Sequence, residues 1–406
     1  MTIENVFSSL NSINHVSRVF GVSIFRNSER RNLTLLLIDT LFSLVNISII
    51  VISVIAGIYK MCMEESLSWT LTYIFSYMFL WAFSTTTAIV SICSAMVYSH
   101  KKVMEATSKL NQVDKVLISQ SKKFHSKIKY IIMLITSAGI SFLATVLIYD
   151  IYLWFQKSHN KFMLIGFYLA HTINCITDIQ FGSMVLLLWF RFRIINERIV
   201  KMYSNEIYRT NGGPQFMLRR ENNISDINIG NWIDSNRSSQ KENLFLLRKQ
   251  FDELQDIAIL VNSAFNIQLL FITPTILISI TTYFYKALSM SSIRKHAIPE
   301  SLETDHLLYI NLLWATFFTT MIVFIASLCS IATNEAQKTT FILQTILLKE
   351  ILNSEDTEEL QMFSDHVTGR KLQFTAHGFF EIDASLLCSI AGAVTTYLVI
   401  LVQSAY

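Results

Sequence analysis

The chain has 406 residues, 52% hydrophobic and only 16% charged, with a net charge of +3 and a mean hydropathy of +0.42. This excludes a disordered or nucleic-acid-coating protein and sets the chain apart from soluble enzymes, whose domains run near 25% charged. Average usage would bring about 28 Gly and about 20 Pro, whereas the chain carries 11 and 3, so turns are few and long helices are favoured.

The expected fold is an all-α membrane protein. A bilayer core takes about 20 apolar residues per helix, and seven stretches qualify in chain order: Leu33–Tyr59, Trp69–Tyr98, Lys129–Phe155, Phe162–Phe190, Ile257–Tyr285, Leu307–Ala332 and Ala384–Gln403. The N-terminus lacks an apolar run before a small-residue cleavage site, so the first span is expected to direct insertion. Lys and Arg collect on one side: 27 lie in the N-terminus and the second-to-third, fourth-to-fifth and sixth-to-seventh connections, against 6 in the opposite loops. The positive-inside rule then predicts a cytosolic N-terminus and an extracellular C-terminus. The expected divisions are a cytosolic N-terminus at 1–32 and spans one to six at 33–332, with cytosolic loops at 99–128 and 191–256. A cytosolic segment at 333–383 and the last span with a short extracellular tail at 384–406 complete them.

Glycosylation acceptors agree with this direction. Those at Asn32, Asn223 and Asn236 fall on the cytosolic side, Asn46 is inside span one, and none lies in an extracellular loop. A receptor signalling through a G protein, the alternative for seven spans, has the opposite orientation. A transporter would predict internal repeats and broken helices, and none is visible. The five cysteines are scattered, without CxxC or Cys/His clusters, so no metal or cofactor is expected. Without a nucleophile–base pair, phosphate loop or dinucleotide motif, no catalytic residue is expected either.

Outside the membrane, helix is expected to continue. Ile194, Ile195, Ile199 and Met202 extend span four, and Leu244, Leu247, Phe251 and Leu254 lead into span five, both at helical spacing. Asp356 and Glu359 read as the capping pair of a short helix ending at His366. Span seven is the most patterned. Ser385, Ser389, Gly392, Thr396, Val399 and Gln403 share one face, which must meet protein or water because lipid cannot satisfy it. Close packing through small residues explains the spacing; a water-filled pore between several copies explains the large amide of Gln403 better. Asp383 reads as the helix N-cap, and with Glu381 it would also concentrate cations at an inner pore mouth.

The chain ends Gly378-Phe-Phe-Glu-Ile-Asp383, then Thr396-Tyr397-Leu-Val-Ile-Leu-Val-Gln403. This resembles the insect gustatory receptors, whose last helix carries Thr-Tyr, five apolar residues, Gln and Phe. The motif covers about the last 30 residues; span number, orientation and length fit along the whole chain. The resemblance implies a ligand-gated cation channel in the plasma membrane of taste neurons, a homo- or hetero-tetramer with other gustatory receptor subunits. Four copies of span seven would surround the pore, and the cytosolic helices would anchor the subunits. Gln403 would lie at the outer gate with Thr396 deeper in the pore. Ser404 stands where the family has its Phe plug, so Val399 and Ile400 close the pore, a partner subunit supplies the Phe, or the gate leaks.

The resemblance also puts a ligand pocket in the outer halves of spans two to six. Those halves hold Tyr77 and Trp81, then Tyr149, Asp150 and Tyr152, then Tyr168, His171 and Asn174, then Thr273, Thr281 and Tyr283, and finally Asn311 and Trp314. Tyr77, Trp81, Tyr149, Tyr152, His171, Asn174, Thr273 and Trp314 are the candidates for touching ligand. Asp150 is expected near the membrane surface, without a special role. Asp178 is expected to bond Asn262 or Asn266 across helices, and Pro274 to kink span five. Aromatic walls with scattered hydroxyls suit bitter plant compounds better than sugars, which call for dense carboxylates and amides. The partners implied are a small-molecule tastant, permeating cations and membrane lipid, with no nucleic acid.

Overall fold

A computed structural model describes residues 6–24, 33–63, 71–118, 121–157, 162–209, 238–296, 302–348 and 354–405. Two short helices, α1 (Val6–Ser9) and α2 (Asn11–Val19), precede α3 (Leu33–Met63) and α4 (Leu71–Ser94). One π-turn (Ala95–Ser99) joins α4 to α5 (His100–Leu117), so most of the expected 99–128 connection is helix. Then come α6 (Ser121–Lys157), α7 (Phe162–Arg209), α8 (Ser238–His296), α9 (Leu302–Leu347) and α10 (Ser354–Gly369). A two-residue ladder of β1 (Thr375–Ala376) and β2 (Phe380–Glu381) leads into α11 (Ala384–Ala405). Seven of these helices are long and apolar enough to cross a membrane.

Length alone carries three of them out of the bilayer. At 1.5 Å per residue, α7, α8 and α9 run roughly 70–90 Å, against an apolar core of about 30 Å. Their surplus, with α5, α10 and the N-terminal helices, makes a second bundle at the end where Lys and Arg collect.

The axis of the fold is α7, whose membrane window is 94% buried inside the chain, against 22% for α6. It packs against α3, α4, α8 and α9. Close crossings explain some of its small residues: a Cβ on Gly166 would lie 2.3 Å from the Ser53 Cβ of α3. Likewise a Cβ on Gly57 would lie 1.8 Å from the Trp81 ring, so α3 and α4 meet through the bare backbone of a glycine.

Polar ties fix the Lys/Arg-rich end. Arg191, fully buried on α7, donates from Nε and Nη2 to the two oxygens of Asp114 on α5, at 3.0 and 2.7 Å. His125 Nε2 of α6 lies 3.5 Å from the same carboxylate. The Gln180 amide donates to Ser17 Oγ and the Val22 carbonyl, holding the N-terminal segment against α7. That segment, polar to the eye, thus folds as part of the bundle.

Two expectations change here. The last short helix starts at Ser354 rather than behind an Asp356–Glu359 cap, and Glu359 is buried in an ion pair with Arg248 at 3.0 Å. Asn262 is also spent elsewhere: it accepts from the Thr375 amide at 3.0 Å and donates to its hydroxyl at 3.3 Å. Asn262 therefore ties α8 to β1 instead of pairing with Asp178, whose Oδ1 has no hydrogen-bond partner among the described residues. In the hairpin, His377 (φ 53°) and Gly378 (φ 79°) both take the left-handed region, which lets the chain reverse within the loop.

Candidate functional site

Toward the end opposite the Lys and Arg cluster, five helices bring aromatic and polar side chains together. Trp314 of α9 is nearly fully buried; Tyr283 of α8 stacks on it at 5.6 Å and 11°, and Phe318 at 5.8 Å and 20°. Its indole N–H donates to Asp150 Oδ2 of α6 at 2.9 Å. Lys286 of α8 is buried with Asp150 as an electrostatic partner, its Nζ 5.3 Å from the Tyr283 ring. The His171 ring of α7 lies 5.0 Å from Trp314, and its Nδ1 is 3.0 Å from Ser84 Oγ of α4. Asn174, one turn along α7, donates to the Ser84 carbonyl at 3.1 Å.

Three polar atoms at this level are buried without a hydrogen-bond partner among the described residues: Trp81 Nε1, His171 Nε2 and Asn174 Oδ1. Leaving such an atom unmatched costs about 1–3 kcal/mol, so each marks a place for a polar group of a guest or for water. Together they offer a donor, an acceptor and an imidazole nitrogen beside an aromatic wall, which is the make-up of a small-molecule site.

The candidate residues divide. His171, Asn174 and Trp314 meet in this cluster, and Trp81 lies on the α4 side, wedged against Gly57. Tyr149 pairs its hydroxyl with His306 Nδ1 at 2.8 Å, a separate link between α6 and α9. The Thr273 hydroxyl returns to the Leu269 carbonyl of its own helix. Tyr152 is 59% exposed on the outside of the bundle, and the Tyr77 side chain lies outside those described. The structure adds Ser84, Phe318, Lys286 and Asp150 to the group. Asp150 was expected at the surface without a special role; it is buried and bonded to Trp314. Lys286 counted as a loop residue, and only the fold shows that it is enclosed.

The second feature is α11. It rests on α8 and α9 through one face, where Ile390 and Val394 are buried, and only 11% of its membrane window is buried within the chain. Ser385, Ser389, Gly392, Thr396 and Gln403 are all exposed, as are Val399 and Ile400, and nothing lies within 4 Å of a Cβ built on Gly392. The Ser404 side chain is outside those described. The Thr396 hydroxyl donates within the helix to the Gly392 carbonyl at 2.9 Å. Asp383 caps the helix, accepting from the Ser385 hydroxyl at 2.6 Å and from the Ser385 and Leu386 amides at 2.9 and 3.2 Å. The Ser385 hydroxyl, with these amides, holds its carboxyl below the usual carboxylate range. Glu381 is exposed and accepts from the Gln373 amide at 2.9 Å.

Gustatory and pheromone receptor 32a of Drosophila melanogaster is 26% identical over 246 residues, 60% of this chain and 50% of that receptor, so the chain spans about half the length of that relative. Gustatory receptor for sugar taste 43a, from the same fly, is 22% identical over 78% of both chains. The structure of the insect olfactory receptor OR5 from Machilis hrabei in complex with eugenol superposes with a TM-score of 0.65 over 97% of both chains, at 14% identity, a likeness of fold. The model of the 7tm chemosensory receptors matches residues 10–406. Seven apolar helices, a fold shared along nearly the whole chain and gustatory receptors among its relatives lead to one assignment: the chain is a multi-pass membrane protein of the 7tm chemosensory receptor family.

Proposed function

We propose that the chain is a gustatory receptor subunit of a ligand-gated, non-selective cation channel, with its N-terminus in the cytosol of a taste neuron and four subunits around the pore. The observation that carries this reading is the open polar face of α11. The Ser385, Ser389 and Thr396 hydroxyls bond only within α11 or to its cap, and with Gln403 they form a face that no other helix of the chain covers, which suits water or other copies of the helix better than lipid. A tetramer supplies both, with Gln403, Val399, Ile400 and Ser404 at the outer constriction and Glu381 and Asp383 at the inner mouth. The tastant sits among Trp81, His171, Asn174 and Trp314. Both α8 and α9 contribute to that cluster and also carry α11, so a guest that moves them moves the pore helix. The stacked rings favour an aromatic bitter compound.

The test is whole-cell recording from cells expressing the full chain, with aromatic bitter compounds and sugars applied separately. The expected result is a cation current evoked by an aromatic compound, with permeation and block altered by Gln403→Arg and Thr396→Val. Unchanged permeation and block in responsive channels would remove α11 from the pore. A saturable current to sugars alone would overturn the tastant class. Second-messenger responses without current would replace the channel with G-protein signalling.

A further inference from the structure

At the opposite end from the aromatic cluster, a cavity of about 310 Å³ opens between α8, α9, the last turn of α10 and the residues after it. Phe251 and Gln255 line it from α8, Thr340, Phe341 and Gln344 from α9, and Lys371 from the segment leading to the hairpin. The seven-span assignment does not use this space.

Its chemistry is specific in two respects. Gln255 is only 2% exposed; its amide N–H donates to the Arg370 carbonyl at 2.6 Å, and its Oε1 has no partner among the described residues. A buried acceptor left this way calls for a hydroxyl or N–H from a guest. The cavity is also lined by cations and by no carboxylate. Arg370 is held by Asp252 and Asp256, but Lys371 has no ion pair among the described residues, so one positive charge is free for an acceptor.

Depth decides what kind of guest can reach it. No Asp, Glu, Lys or Arg interrupts α8 from Asp256 to Lys286, or α9 from Asp305 to Glu335. At 1.5 Å per residue each run spans about 45 Å, the thickness of a bilayer including its headgroups, about 40–45 Å. Gln255 and Ala336, one residue beyond these runs, both line the cavity. The membrane-facing end of the site therefore stands at the polar edge of the headgroup layer on the Lys/Arg-rich side, where anionic lipid is drawn to basic pockets.

We propose that this cavity receives the headgroup of a hydroxyl-bearing anionic phospholipid of the phosphatidylinositol kind. A headgroup hydroxyl donates to Gln255 Oε1 and the phosphate lies against Lys371, with the glycerol toward the bilayer on the Ala336 side of the cavity. The lipid would brace α8 against α9 and against the segment that runs through the hairpin into α11. A trapped water would satisfy Gln255 but leave the free cation without a role.

The experiment uses the full chain in nanodiscs, followed by its melting temperature. Discs of phosphatidylcholine alone are compared with discs containing phosphatidylinositol or phosphatidic acid, which is anionic but lacks the headgroup hydroxyls. Glycerophosphoinositol is added to plain phosphatidylcholine discs as the soluble source of the same chemistry. The proposal expects stabilisation that saturates with phosphatidylinositol and is smaller with phosphatidic acid. Lys371→Gln, at an exposed site, should raise the half-saturating lipid fraction about fivefold, the worth of one cation at an anionic membrane surface, and Thr340→Trp, which fills the cavity, should abolish the effect. Equal melting in all three lipids, or a response untouched by both variants, would overturn it. Stabilisation by glycerophosphoinositol as strong as by the lipid would also overturn it, making the cavity a site for a soluble phosphate ester.

Discussion

Deleting the Asp114 carboxylate strands a charge. Arg191 is fully buried, and Asp114 binds its Nε and Nη2 while also meeting His125 of α6. Among the described residues, Asp114→Ala leaves Arg191 the donation from Nη1 to the Leu187 carbonyl and the Phe124 ring 5.1 Å from its guanidinium. Removing one partner of a buried pair costs about 3–5 kcal/mol, because the other charge stays desolvated without compensation. With an unfolding entropy near 2.1 cal/mol/K per residue, a cooperative melt of 406 residues converts that into a loss of roughly 4–6 °C. The assay is the melting temperature of the purified chain in detergent, followed by tryptophan fluorescence, for Asp114→Ala, Arg191→Met and the pair Asp114→Leu with Arg191→Met. Each single variant should lose several degrees, while the pair should return close to the parent, since an apolar replacement strands no charge. Losses that simply add in the double variant would refute the reasoning, for they would mean that the two side chains act independently.

Gly57→Val should drive a side chain into the Trp81 ring, where even a Cβ would lie at 1.8 Å. The expected overpacking cost is about 1–3 kcal/mol, read as a lower melting temperature, with Gly392→Ala unchanged because its surroundings within the chain are open. Trp314→Phe keeps an aromatic ring against Tyr283 and Phe318 but loses the donor to Asp150. Such a bond to a charged group is worth about 1.5–3 kcal/mol, so both stability and the half-activating tastant concentration should worsen; an unchanged dose–response would separate this bond from the site. Asp383→Ala should destabilise the start of α11 by about 1 kcal/mol, seen as faster hydrogen exchange at the Ser385 and Leu386 amides. The native cap carries its own pH signature. Because the folded carboxyl is held below its ordinary range, its contribution is complete above the unfolded value of about 3.9 and is lost as pH falls through the lower folded value. Asp383→Asn should remove that dependence.

Some of the architecture is written locally. The seven apolar runs, the crowding of Lys and Arg into alternate connections, and the helical stripes beyond spans four and before span five need only composition and period, and α7 and α8 do continue where those stripes predict. The polar spacing of span seven likewise defines the exposed face of α11. The candidate ligand residues were legible as types but not as a group. His171 and Asn174 stand one helical turn apart, yet Ser84, Tyr283 and Trp314, from three other helices, complete their surroundings.

Only the tertiary structure decided which apolar face meets protein. Lipid and protein interior are both apolar, so hydropathy qualifies α6 and α7 equally as spans, although one is mostly exposed and the other is the buried axis. The same ambiguity hid Asp150 and Lys286, placed by sequence near the surface and enclosed by the packing of α6, α8 and α9. Local pattern determines that a helix enters the membrane; its neighbours determine what its side chains touch there.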